Sequence, residues 1–154
     1  MDGLMLIVRI AGESVALPAE TVESVVEIEA MTAVPLAPPH VVGLAALRSR
    51  VVTIVDPRAV MDTLTGVRGA PDMPFSAVVV AIDGHPYGIV VDEVLDVLPA
   101  TGSPSPLQGR VTGGWSAMMR SSVIVEGRQY LLIDPAGLVA GGNGDVQPTA
   151  AAVN

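Results

Sequence analysis

The chain has 154 residues, half of them hydrophobic, 26 of them valine and only 16% charged, which suits one compact domain or two very small halves sharing a core. Sixteen acids against eight arginines leave a net charge of −8, and with four aromatics (Phe75, Tyr87, Trp115, Tyr130) such a surface argues against nucleic-acid partners. No cysteine and no lysine occur, which excludes disulfides, thiolate nucleophiles, Cys-ligated metals, Walker lysines and Schiff bases.

Valine-rich runs separated by Gly, Pro or Asp-Gly signals predict strands over Leu4–Ile10, Ser14–Pro18, Val22–Glu29, Val41–Leu47 and Val51–Val55. Further strands are expected over Ser76–Ile82, Pro86–Val91, Val94–Leu98, Val111–Gly113, Ser121–Val125 and Gln129–Ile133. Ala11-Gly12-Glu13 and Asp83-Gly84-His85 read as hairpin turns. Asp56 and Asp134 each precede a proline, an N-cap followed by a first-turn proline, and predict short helices Pro57–Leu64 and Pro135–Val139. Residues 65–75 read as a linker, the Ser/Pro/Gly-rich stretch Ala100–Gly109 as a loop, and residues 141–154 as a disordered tail. The expected class is all-β with minor helix.

The chain also repeats itself. Leu6, Val8, Ile10, Gly12, Val15, Leu17, Val22 and Val25 recur, 72 positions on, as Val78, Val80, Ile82, Gly84, Tyr87, Ile89, Val94 and Val97. Thr53-Ile54-Val55-Asp56-Pro57 recurs as Leu131-Leu132-Ile133-Asp134-Pro135 at an offset of 78. Each copy is small for an independent core, so the halves are expected to pack against each other.

Reagents for catalysis are sparse. A symmetric pair, Asp56 and Asp134, could share a proton as in aspartic proteases, but each precedes Pro rather than the Thr/Ser-Gly that chemistry uses, so helix capping is the better reading. His40 and His85 read as solvated turn residues rather than metal ligands, and no nucleophile elbow or zinc helix occurs. The longest uncharged stretch, Ala30–Leu47, holds Pro35, Pro38 and Pro39 and is not expected to span a membrane. Together with a start that lacks a signal-peptide pattern, this predicts a cytoplasmic protein without metal or cofactor.

Three motifs point to a family. Pro35-Leu36-Ala37-Pro38-Pro39-His40-Val41-Val42-Gly43-Leu44-Ala45-Ala46-Leu47-Arg48, then Val51 to Arg58, resembles the CheW-like domain signature, in which Asn-Leu-Arg-Gly precedes an apolar strand ending Asp-Leu-Arg. Gly88-Ile89-Val90-Val91-Asp92-Glu93-Val94 is similar to that family's second-half pattern. The resemblance runs from Leu4 to Leu138 and implies two pseudo-repeated five-stranded SH3-like β-barrels sharing a hydrophobic core, with short helices. It divides residues 1–140 of a single CheW-like domain into halves 4–64 and 75–140, with room for exchanged strands.

It also implies a non-enzymatic adaptor coupling methyl-accepting chemoreceptor tips to the regulatory domain of a CheA-like histidine kinase, at membrane-associated arrays but without inserting into the membrane. The implied partner-binding residues are Arg48 with its neighbours Leu47 and Ser49, Ser24 and Glu27 on the third strand, and the loop Val34, Pro35 and Leu36. The apolar members of the third strand, Val22, Val25 and Ile28, and the second-half Tyr87, Val91 and Val94 are expected in the core. Two departures bear on function: Ser24 stands where the family carries a glutamate able to pair with the arginine, and Ser49 replaces the turn glycine. They leave open a divergent accessory protein that binds the kinase or array but not receptors, and, remotely, an aspartyl hydrolase.

Overall fold

The computed structural model describes residues 3–10, 12–38, 40–58, 72–106 and 119–139, with backbone only for 102–106, 119 and 120. Ten strands form two layers: β1 (Leu4–Ile10), β2 (Glu13–Pro18), β3 (Val22–Ile28), β4 (Val41–Leu47), β5 (Arg50–Val55), β6 (Phe75–Ile82), β7 (His85–Val91), β8 (Glu93–Pro106), β9 (Met119–Val125) and β10 (Arg128–Ile133). A closed barrel runs β1-β2-β10-β9-β8, and a five-stranded sheet runs β3-β6-β7-β5-β4. Each layer therefore draws strands from both halves of the sequence. The hairpin β1–β2 sits among second-half strands, and its repeat, β6–β7, among first-half strands.

The two offsets seen in the sequence reappear as strand register. Leu6 faces Val97 across β1 and β8, and 72 residues on from Leu6, Val78 faces Val25, itself 72 before Val97. The parallel contacts obey both offsets at once, with Leu131 opposite Val15 and Thr53 opposite Tyr87. Even the irregularities repeat: the register slips between Ile7 and Val8 against β8, and between Val22 and Ser24 against β6, leaving Leu95 and Glu23 as the extra residues of matched β-bulges. One closure differs. β8 pairs with β9 over its second half, from Ala100 to Pro106 with a break after Thr101, whereas β3 and β4 meet only beyond β3, where Thr32 and Leu44 exchange backbone bonds of 2.9 and 2.8 Å.

The valines separate into three packed groups. Leu6, Val8, Leu17, Val55, Val78, Val80 and Ile89 join the layers in a shared core, which the helix Pro135–Val139 caps through Leu138. Met5, Ile7, Ala16, Val123 and Tyr130 fill the barrel, while Ile28, Val52, Ile54, Phe75 and Ala77 fill the curve of the second sheet. Strands β1 and β6 are buried on both faces, which is why they read as unbroken apolar runs rather than alternating ones. Burying each Val or Leu side chain contributes about 1.5–3 kcal/mol. Val91 belongs to the shared core, and Tyr87 and Val94 pack against it half-buried.

Several expectations need correction. Ala100–Pro106 is not loop but the end of β8. Ser105 and Pro106 pair with Ser122 and Ser121, and the register break between Thr101 and Ser105 absorbs the Gly-Ser-Pro run that composition assigns to a turn. Val25 is not core: three residues from Ile28, it faces the other side of the edge strand β3, and it is 45% exposed while Ile28 stays buried. The expected strand Val111–Gly113, the tail 141–154, most of the linker and the helix Pro57–Leu64 beyond its first two residues lie outside the described residues.

His40 is also not a solvated turn residue. It is buried, its Nε2–H donates to the Val139 carbonyl at 2.8 Å, and its own carbonyl accepts from the Asp56 N–H at 2.9 Å. Burial lowers its pKa below the ordinary 6.5, the bond to Val139 opposing only in part. The unfolded chain thus binds a proton more readily, so the contribution of His40 is complete above pH 6.5 and is lost as pH falls toward the lowered folded value. Urea unfolding of the wild type between pH 7 and 5.5 should lose stability at up to about 1.4 kcal/mol per pH unit from this group. His40→Gln should flatten that slope, and an unchanged slope would remove the role assigned to His40.

Candidate partner-binding surface

The β4–β5 hairpin turns on Arg48 and Ser49. Arg48 adopts φ +57°, a left-handed conformation that L-residues other than Gly, Asn and Asp rarely take. The related turn, 78 residues on, places positive φ on both Glu126 and Gly127, as the hairpin of Asp83 and Gly84 does. Ser49, lacking that freedom, stays out of the left-handed region, so the two hairpins differ in shape where the family glycine is missing. Arg48 is exposed at this turn, at the end of the sheet.

Beside this turn lies an open groove of about 390 Å³. Its walls are Ser24, Val25 and Val26 from β3 and Leu47 through Arg50 from the hairpin, with Val79 of β6 at its base. Four of the eight residues named from sequence, Ser24, Leu47, Arg48 and Ser49, therefore come together. Arg50 is held by Glu23, the bulged residue, in an exposed ion pair. Arg48 has no ion pair or hydrogen bond among the described residues. Ser24 offers it no charge, and Asp96, which occupies the repeat-related position, lies in the other layer and accepts from the Val97 N–H. The result is an uncommitted guanidinium beside exposed Val25 on an acidic protein, able to fork onto a partner carboxylate.

The other sequence candidates lie elsewhere. Glu27 borders a smaller polar cleft with Arg58, Asp72 and Asp92. Val34, Pro35 and Leu36 build a tight turn closed by a 3.4 Å bond from the Ala37 N–H to the Val34 carbonyl, with proline in its second position. Leu36 carries φ +65° at the third position, usually glycine, and its side chain is wholly exposed. Val25, Val26, Arg50 and Val79 were not legible as site residues. Only the packing of β3 beside the β4–β5 turn brings them together.

The aspartate pair does different work. Asp56 is completely buried, and both its oxygens face Arg58: Oδ1 accepts from the backbone N–H at 2.9 Å and Nε at 3.0 Å, and Oδ2 from Nη2 at 3.0 Å. That is an N-cap reinforced by a bidentate fork. Asp134 is half-buried, and its carbonyl takes the Leu138 N–H at 3.0 Å, the first bond of its helix. His85 stays at its hairpin tip, bonded to Thr53 Oγ1 at 3.0 Å and edge-on to Tyr87.

Two comparisons bear on this fold. Residues 4–142 match the family model of the CheW-like domain. The chain belongs to the CheW-like domain family. A solved structure, the scaffolding protein TtCheW from Thermoanaerobacter tengcongensis, superposes with a TM-score of 0.72 at 21% identity, covering 87% of this chain and 90% of that one. At that identity the likeness concerns the fold: a nearly all-β CheW-like domain in two five-stranded layers. None of the curated proteins matches the chain.

Proposed function

We propose that this CheW-like domain is a non-enzymatic adaptor in a chemosensory array, coupling chemoreceptor tips to the regulatory domain of a CheA-type histidine kinase. Membership of the CheW-like family supports the scaffold role, and one observation carries the assignment of the surface. Among the described residues Arg48 has no partner, and it lies exposed beside Val25 in a groove that also gathers Ser24, Leu47 and Ser49. An arginine that forks onto a partner carboxylate and an adjoining apolar patch are common anchors of protein interfaces. The exposed turn Val34–Leu36 and Glu27 are proposed as secondary contacts.

Residues 1–140 act as one unit in this reading, because neither half owns a complete sheet. The site of action is the cytoplasmic face of receptor arrays; no described helix is long and apolar enough to cross a membrane. A second reading, an accessory protein that binds the kinase but not receptors, draws on Ser24, which leaves Arg48 without the acid that would orient it. Pull-down with separate kinase regulatory domain and receptor-tip fragments tests both. Retention of each fragment supports coupling, retention of the kinase alone supports the accessory reading, and retention of neither defeats both.

A further inference from the structure

The repeat exposes an unfilled position in the barrel. In the second sheet Phe75 lies opposite Ile28, and with Ala77, Val90 and Ile54 they form a closed core. The matching residues of the barrel are Gly3 and Ala100, joined by a 2.7 Å bond from the Ala100 N–H to the Gly3 carbonyl, with Met5, Pro18 and Leu132 around them. Ala100 is buried within the barrel core, whereas at Gly3 a hydrogen stands in the place of the Phe75 ring. An apolar pocket of about 500 Å³, lined by Gly3 and not by Ala100, opens there, and a Cβ built on Gly3 meets nothing within 4 Å. The barrel's own aromatic, Tyr130, takes the place of Val52 and is not part of the lining. Apolar cavities of about 150 Å³ already suffice to hold a benzene ring.

We propose that this pocket receives an aromatic side chain presented by a partner protein next to a basic residue. The ring would sit where Phe75 sits in the related sheet. The basic neighbour follows from Glu20, the one charged residue of the lining among the described residues, which is exposed at the rim of a chain carrying −8. This inference does not depend on the kinase or receptor assignment, since the pocket shares no residue with the Arg48 groove.

Methyl NMR titration of the full chain with N-acetyl-Phe-Arg-amide tests it. The probe should shift the Leu4, Met5 and Leu132 methyl signals saturably, while N-acetyl-Ala-Arg-amide should not. Gly3→Phe, which supplies the ring from within, should abolish the shifts and raise the melting temperature; Gly3→Leu serves if that variant does not fold. Glu20→Gln should weaken the Phe-Arg probe several-fold. No shift with the Phe-Arg probe, shifts undiminished in both Gly3 variants, or shifts with toluene but not with the peptide would each overturn the proposal.

Discussion

Arg58→Leu is expected to lower the stability of this domain by about 3–5 kcal/mol, as measured by urea unfolding. The carboxylate of Asp56 has no exposure to solvent, and Arg58 supplies three of its hydrogen bonds, two of them from the guanidinium. Leucine would leave a buried negative charge with only a backbone N–H. Removing both charges together, as Asp56→Leu with Arg58→Leu, should recover much of the loss, because an apolar pair needs no counter-charge. The N-cap bond to the helix start is still lost in the double variant, at about 1 kcal/mol. A single variant within 1 kcal/mol of wild type, or a double variant that is the sum of its parts, would show that the fork adds little.

Phe75→Ala should cost a similar amount, about 3–5 kcal/mol. Phe75 is 8% exposed, lies opposite fully buried Ile28 and packs within the second sheet's core. That the related barrel position is Gly3 does not make the change mild. There Met5 stands for Ala77 and Tyr130 for Val52, so the barrel spends its volume elsewhere, and the second sheet has no such compensation. A melting temperature unchanged in Phe75→Ala would contradict the packing described.

The strand plan was legible because the chain states it twice. Leu6, Val8 and Val78, Val80 could be aligned by offset alone, and the register of β1 with β8 and of β6 with β3 keeps that offset. The resemblance found Arg48, Leu47 and Ser49, which local chain geometry holds together whatever the fold. What escaped depends on contacts distant in sequence. That β3 is an edge strand, which leaves the face carrying Val25 uncovered, shows only once the sheet order is known. The pairing of Ser105 with Ser122 overrides a composition that reads as loop. His40 is buried because the helix Pro135–Val139, nearly a hundred residues on, closes over it through the Val139 carbonyl. The pocket at Gly3 was in the alignment of the repeats all along, but a small residue becomes a vacancy only once its neighbours are in place.

The groove at the β4–β5 turn is proposed to anchor a partner through Arg48. Calorimetric titration of a CheA-type kinase regulatory domain into wild type and Arg48→Ala, with melting temperatures taken alongside, tests it most directly. Binding to Arg48→Ala should be weaker by roughly 2 kcal/mol or more, about 30-fold, with thermal unfolding nearly unchanged. Equal affinity for the two proteins would contradict it.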